Sequence, residues 1–492
     1  MFLKQRIRRV AAGGGILALA LAGMVLGSQT AASAEGFPVV PDQPGSLTIH
    51  KHVQDGQSTP GHPAGAPLGG VGFSVQQLGK SGGGGCAAID LTTPGGWADV
   101  SAAIAGFPAS TPNPPAGFCL TGSNYSVTTD TVTGAVTQSG LKGLYLVTET
   151  SPGPHMISQP AAPFLVTVPL PVAGSPGSWD FTVDAYPKNV LGTFSPTKTV
   201  GSTNVDGSVV PGALVPWTIS TTVPVAAFPY TTISVTDTPA TGHTFQAWTE
   251  VQLNGTPMAA PGTPTPDYSV SGSTLTLTAP GLTKVNAIVT GSQATAATLT
   301  VKLTTRVTGD TLGGLVNNAS VTLNGKTQPT TTPQTNWGKI VIKKHVAGDQ
   351  NATLAGARFA IYPKTAAGCA TDVNGTPVWT TPALPNPSAA QQEAVLWISN
   401  TAPGENVGSK VYCLKETQAP TGYVLDTTPR EVTVSSDNAW VANYPFPNVP
   451  VEGPQLPLTG STGAMAFGLV GFGLIGAAGA LFAVRRSRAA KR

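Results

Sequence analysis

A nine-residue pattern occurs twice in this chain, and both copies put a lysine where the core of a β-sheet belongs. Gly45–Val53 reads GSLTIHKHV and Gly338–Val346 reads GKIVIKKHV. Two further matches follow each start. Val71-Gly-Phe-Ser-Val75 corresponds to Ala357-Arg-Phe-Ala-Ile361, and Tyr145-Leu-Val-Thr-Glu149-Thr150 to Tyr412-Cys-Leu-Lys-Glu416-Thr417. One domain type is therefore present twice. Alternate side chains of an extended strand share a face. Ile340, Ile342, Lys344 and Val346 then line one face, the core face, because Lys339, Lys343 and His345 occupy the other. The same counting places Glu416 with Tyr412 and Leu414, and Asn448 with Tyr444 and Phe446. In the first copy it places Lys51 with Leu47, Ile49 and Val53, Glu149 with Tyr145 and Val147, and Asn189 on the parity of Phe181 and Val183. A lysine, a glutamate and an asparagine buried together are costly to keep charged, so their presence asks for a chemical reason.

Composition sets the class. Only 10% of the 492 residues are charged, against 59 Gly and 45 Pro. Short Val/Thr-rich runs broken by Gly and Pro read as strands and turns, with no long amphipathic helix expected outside the two terminal segments. The expectation is an all-β chain of three tandem Ig-like β-sandwich domains, over 35–190, 191–335 and 336–450. A formal charge of +3 leaves no basic patch outside the termini, which argues against nucleic acid as a partner. The six histidines are scattered, without GxSxG or HExxH context, so an extracellular hydrolase is disfavoured. No cofactor or metal is expected, and no close CxxC pair supports zinc.

The termini point to export. Lys4, Arg6, Arg8 and Arg9 precede an apolar segment from Ile16 to Leu26, and Ala32-Ser33-Ala34 has the form of a signal-peptidase site. Residues 1–34 read as a signal peptide. Outside the cell, Cys86, Cys119, Cys369 and Cys413 meet oxidising conditions. Three pairings are possible. Cys86–Cys119 and Cys369–Cys413 are the economical choice if domains fold separately. At the other end, 451–492 holds Leu456-Pro457-Leu458-Thr459-Gly460, an apolar run from Ala464 to Val484, and a basic tail of Arg485, Arg486, Arg488, Lys491 and Arg492. A helix over that run would be about 31 Å long, enough to span a bilayer. Pentapeptide, span and basic stop together resemble the cell-wall sorting signal of Gram-positive surface proteins. The resemblance implies that a sortase cuts between Thr459 and Gly460 and passes the Thr459 acyl group to an amine.

The buried polar residues acquire a role through a second resemblance. Tyr412-Cys-Leu-Lys-Glu416-Thr-Gln-Ala-Pro-Thr-Gly-Tyr423 resembles the E-box of Cna-B-type domains, in which Lys and Asn condense into an intramolecular isopeptide bond. This implies a Lys344–Asn448 bond with Glu416 as catalyst, Asn443 being the rival acceptor on the other strand face. The first domain offers Lys51, Asn189 and Glu149, but Thr150-Ser-Pro-Gly lacks the Ala-Pro-x-Gly-Tyr continuation, so its bond stays open. In the middle domain Lys198, Asp237 and Asn317 resemble the Asp-catalysed isopeptide domains of pilins, with Asn318 the fallback acceptor. The chemistry suits these residues: burial favours a neutral, nucleophilic amine, while a buried carboxylic acid stays protonated and can polarise the Asn carbonyl and pass a proton to departing ammonia.

Trp179-Asp-Phe-Thr-Val183-Asp-Ala-Tyr186-Pro187-Lys188-Asn189 is similar to the pilin motif WxxxVxVYPKN, with Ala185 the one departure. In that family the motif lysine of one subunit receives the threonine acyl group of another, here Lys188 and Thr459. Lys188 points opposite to Asn189, so it is expected to stay exposed. The whole resembles a major shaft pilin of the SpaA/FimA-like kind. Implied partners are identical subunits in a covalent homopolymer, pilin-specific and housekeeping sortases, minor tip and base pilins, and peptidoglycan; the sequence names no host or bacterial receptor. The implied location is a pilus anchored to the cell wall. The alternative is a minor pilin or a monomeric wall-anchored adhesin, which needs only the acyl donor.

Overall fold

The computed structural model describes residues 40–55, 65–108, 110–173, 175, 177–309, 311–381 and 391–452. The signal segment, Thr459, Gly460 and the apolar run lie outside them. No described helix is long and apolar enough to cross a membrane. The chain forms two compact units. One runs to Gly207 and takes in Gly212–Thr335 and Asn400–Asn406; the other comprises Ser208–Pro211, Asn336–Ser399 and the chain from Val407 on.

In the first part of the larger unit, strand Gly45–His50 lies between Ala135–Leu141 (antiparallel) and Thr182–Ala185 (parallel). Facing it is a sheet in which Gly72–Gly82 pairs with Gly85–Ala88, Phe118–Thr128 and Gly143–Ser151, the last of which pairs with Phe164–Val168. Leu47, Ile49, Phe73, Val75, Val147 and Val183 meet between the layers in one core cluster. The later part is a second sandwich. One sheet orders Thr197–Val200, Leu214–Val223, Ala297–Val307 and His243–Leu253. The other carries Tyr268–Ser271, Thr274–Leu277, Ile233–Pro239 and Gly313–Leu323. Ala297–Val307 buries every second residue, the period of a strand with one face on a core.

The smaller unit repeats the first plan. Gln334–Val346 runs parallel to Val441–Asn448, and Arg358–Pro363, Ser409–Gln418 and Arg430–Ser435 form the opposing sheet. Ile340, Ile342, Phe359, Ile361, Leu414 and Phe446 fill the space between.

Two helices of 13 and 11 residues, Pro94–Gly106 and Ala279–Val289, interrupt the strands, and neither is a long amphipathic helix. Each begins after a threonine and carries proline in its first turn, a helix-start signal. In the first, Thr93 Oγ1 accepts the Gly96 N–H at 3.1 Å. The signal was masked because the buried face consists of small residues, Gly96 and Ala103 with Val100, which carry little amphipathic contrast.

Candidate functional site

The repeated domains place their polar residues by the same register. In the first, Val53 lies opposite Asn189 on parallel strands, so Lys51, two residues back, shares its face. In the smaller unit Val346 lies opposite Asn448, and Lys344 is again two residues back. The acids correspond too: Phe73 pairs with Glu149 and Phe359 with Glu416. All six polar side chains are buried. Lys51 Nζ lies 3.0 Å from Glu149 Oε2 and donates to Asn189 Oδ1, while Asn189 Nδ2 donates to Glu149 Oε1 at 2.7 Å. Lys344 Nζ lies 2.9 Å from Glu416 Oε1, off the hydrogen-bond angle, and Asn448 Nδ2 donates to Glu416 Oε2 at 3.0 Å. The rival Asn443 is exposed, opposite Val341.

The middle trio uses different elements. Asp237 and Asn317 sit on antiparallel neighbours, with Asp237 opposite Ala319 and Asn317 opposite Pro239, so they share a face one step apart. Lys198 reaches them from the facing sheet. Its Nζ donates to Asp237 Oδ1, and to the Asn318 carbonyl at 3.3 Å; Asn317 Nδ2 is 3.5 Å from Asp237 Oδ2. Lys198, Asp237 and Asn317 are fully buried, whereas Asn318 is half-buried on the opposite face.

Burial dominates the electrostatics. It pulls the Lys51 and Lys198 amines down to about 8, against the opposing pull of Glu149 and Asp237. Lys344 is lowered by burial too, with Glu416 opposing. Burial raises the Asp237 carboxyl, with Lys198 opposing. Aromatic rings line the amines: Lys344 Nζ is 4.3 Å from the Phe446 ring centroid and Lys198 Nζ 5.1 Å from that of Trp217. Burial of Lys198 and Asp237 favours moving a proton from ammonium to carboxylate, leaving a neutral pair and a nucleophilic nitrogen, while the aromatic faces pull the other way.

One feature differs from the sequence reading. In all three trios the Asn amide nitrogen, rather than its carbonyl oxygen, faces the carboxylate. A carboxyl so placed touches both the attacking amine and the departing nitrogen and can carry a proton between them. In the first domain the Ala161 N–H takes the carbonyl side, donating to Asn189 Oδ1 at 2.7 Å, where negative charge would develop during attack. In the smaller unit the backbone serves the acid and the amide nitrogen. Asp426 N–H donates to Glu416 Oε2 at 2.9 Å, and the Val424 carbonyl accepts Asn448 Nδ2 at 2.6 Å. Sequence reasoning missed these backbone partners, since strand parity says nothing about loops that fold over a strand end.

The disulfides join Cys86 to Cys119 and Cys369 to Cys413, with Cα–Cα distances of 5.9 and 5.4 Å. Cys413 sits on the strand that carries Glu416, so its bridge ties that strand to the short helix Cys369–Asp372.

The segment from Trp179 to Lys188 follows the edge of the first domain. Val183 and Ala185 point into the core, where the smaller Ala185 is still 5% exposed. Trp179 stacks on Trp97 of helix Pro94–Gly106 at 5.2 Å. On the outer face His50 stacks on Tyr186 at 4.7 Å, and its Nε2 is 2.8 Å from Asp184 Oδ1. Lys188 opens strand Lys188–Leu191 opposite His52. It is half-buried rather than exposed as expected, because strand His52–Val53 runs alongside it.

Comparison with known proteins agrees with this plan. Residues 42–190 match the family model "Gram-positive pilin subunit D1, N-terminal domain", and 338–444 match "Prealbumin-like fold domain". The chain is 30% identical over 545 aligned residues to fimbrial subunit type 2 of Actinomyces naeslundii, covering 99% of this chain and 97% of that protein. It is 26% identical to fimbrial subunit type 1 of Actinomyces viscosus, covering 94% of each. Among solved structures, the full-length major pilin SpaD of Corynebacterium diphtheriae matches with 24% identity and a TM-score of 0.44, covering 84% of this chain and 98% of that one.

Proposed function

This chain belongs to the family of Gram-positive fimbrial subunits, and from that premise we propose how its parts build a fibre. It acts as the repeating shaft subunit. A pilin-specific sortase takes the Thr459 acyl group as a thioester, releasing Gly460, and transfers it to the Lys188 amine of the next subunit. The last subunit of the chain is passed to peptidoglycan, which anchors the fibre in the cell wall. Tip and base pilins complete it. The domains over 35–190, 191–335 and 336–450 are its beads. Condensation of Lys344 with Asn448, Lys198 with Asn317 and Lys51 with Asn189 braces them, with Glu416, Asp237 and Glu149 shuttling the proton. The protein is a substrate and a structural element, with no turnover of its own.

The observation that carries this reading is the strand at Lys188. The same strand turns Asn189 inward onto Lys51 and Glu149 and turns Lys188 outward, so adjacent residues serve an internal brace and an external link. An adhesin anchored as a monomer has no use for the second. Lys188→Arg tests it, since a guanidinium keeps its charge and cannot be deprotonated in a protein. Cells carrying Lys188→Arg should display wall-bound monomer and no high-mass ladder on immunoblots, while Thr459→Ala should lose both polymer and anchoring. A full ladder in Lys188→Arg cells would place the linking amine elsewhere.

A further inference from the structure

We propose that His52 accepts the proton that Lys188 must lose as the intersubunit bond forms, an inference that rests on Lys188 being the linking amine. His52 and Lys188 are register partners on adjacent parallel strands. Such strands lie about 4.8 Å apart, and paired residues project from the same face. The two side chains therefore leave the ladder side by side on one face, which puts an imidazole within the sweep of the Lys188 side chain.

The ring is also set in one tautomer. His52 Nδ1 lies 3.0 Å from the Gly65 carbonyl oxygen. A carbonyl only accepts, so Nδ1 carries the hydrogen, and in the neutral ring Nε2 holds the free lone pair. The backbone on either side holds the ring in place. The His52 N–H donates to the Pro187 carbonyl at 3.1 Å, and His52 bridges Pro67 on its other side. Among the described residues, the titratable groups around it are Lys188 on the paired strand, His50 two residues earlier, and Asp55 beside Gly65. His50 is already engaged by Asp184 and Tyr186, so among the described residues His52 is the imidazole in register with Lys188.

The chemistry balances. The Lys188 ammonium releases one proton to solvent, and the resulting amine attacks the Thr459 thioester carbonyl. As the C–N bond forms the nitrogen becomes strongly acidic, and His52 Nε2 takes its second proton. The C–S bond breaks, the sortase thiolate leaves, and His52 returns its proton to water. Products are the amide, the thiolate and two protons. An imidazole suits this late transfer, because it need not deprotonate a free ammonium.

The test uses the full exported chain and a pilin-specific sortase charged with a Leu-Pro-Leu-Thr-Gly peptide. Single-turnover linkage to Lys188 is followed across the range in which imidazoles titrate. The wild-type rate should fall as the medium becomes acid. His52→Gln keeps a donor for the Gly65 carbonyl but cannot take a proton. It should slow linkage on the order of 100-fold at saturating pilin and lose the steeper, two-proton part of the acid fall while keeping the one-proton fall of the Lys188 ammonium, with KM for the pilin unchanged. Added imidazole should restore the rate of His52→Ala. A His52→Gln rate and pH profile like wild type, or a His52→Ala rate that imidazole does not move, would overturn the inference. Lys188→Arg run in parallel separates the two claims. Linkage that survives it sinks the underlying assignment. Linkage lost there with His52→Gln unaffected sinks only the role of His52.

Discussion

At the scale of single residues, the three buried lysines are the costly choices. Each sits where a strand needs an apolar side chain, and each is balanced by one acid and one amide. If Lys344 and Asn448 condense, the intact protein weighs one ammonia less than its sequence for that bond. Glu416→Ala removes the group that touches both nitrogens and should restore that ammonia, read by intact mass spectrometry of the soluble chain; an unchanged deficit would remove Glu416 from its role. His243 carries a different prediction. It is buried at the edge of Trp217, with Nδ1 3.0 Å from Thr305 Oγ1 and Nε2 3.1 Å from Thr335 Oγ1, and burial lowers it to about 4. Its folded value lies below its unfolded one of about 6.5, so between the two the unfolded chain binds more protons and stability rises with pH. Acidification from about pH 6.5 to 4 should therefore cost the larger unit up to about 3 kcal/mol. Denaturant midpoints should show that slope in wild type and a flatter one in His243→Gln.

At the scale of elements, the strand Ser409–Gln418 does the most. It carries Tyr412 and Leu414 into the core, Glu416 to the end of that face, and Cys413 to the opposite face. Alternation lets one strand hold a buried acid and a covalent staple without conflict. The Cys369–Cys413 bridge closes a sequence separation of 44 residues, which the loop-entropy model values at about 4 kcal/mol. A Cys369→Ser/Cys413→Ser double variant should lose stability of that order, measured by denaturant unfolding of the smaller unit. It should also release the Glu416 strand, so ammonia loss at Lys344 should slow on refolding. Unaltered stability and kinetics would show the bridge to be incidental. The helices teach the converse. Pro94–Gly106 is specified by its start signal and held by small buried residues, a pattern that hydrophobic periodicity alone does not reveal.

At the scale of the molecule, the proposed isopeptide bonds would add a covalent tie to the apolar core of each domain. An isopeptide bond between the first and last strands of a domain closes a loop of roughly 100 residues, worth about 4.7 kcal/mol by the same loop model. In both repeated domains these strands are parallel neighbours, so the tie joins the two chain ends of the domain. A pulling force applied between those ends would then meet the bond before it reaches the sheets.

Period-two alternation and the repeat were enough to identify the sandwich class and the burial of Lys51, Lys198, Lys344 and their acids, because facing in a strand depends only on parity. Parity favoured Asn448 over Asn443 and Asn317 over Asn318 without deciding between them; in the folded chain Asn448 and Asn317 are the buried ones. What parity cannot reach is anything decided across a loop or between strands. The shared register that puts Asn189 opposite Val53 and Asn448 opposite Val346 comes from pairing distant segments. Likewise, the Asn amides turn their nitrogens to the acids, Ala161 supplies its N–H to Asn189, and His52 comes to lie beside Lys188 only in the folded chain. A sequence lists which groups share a face; only packing decides which atoms of those groups meet.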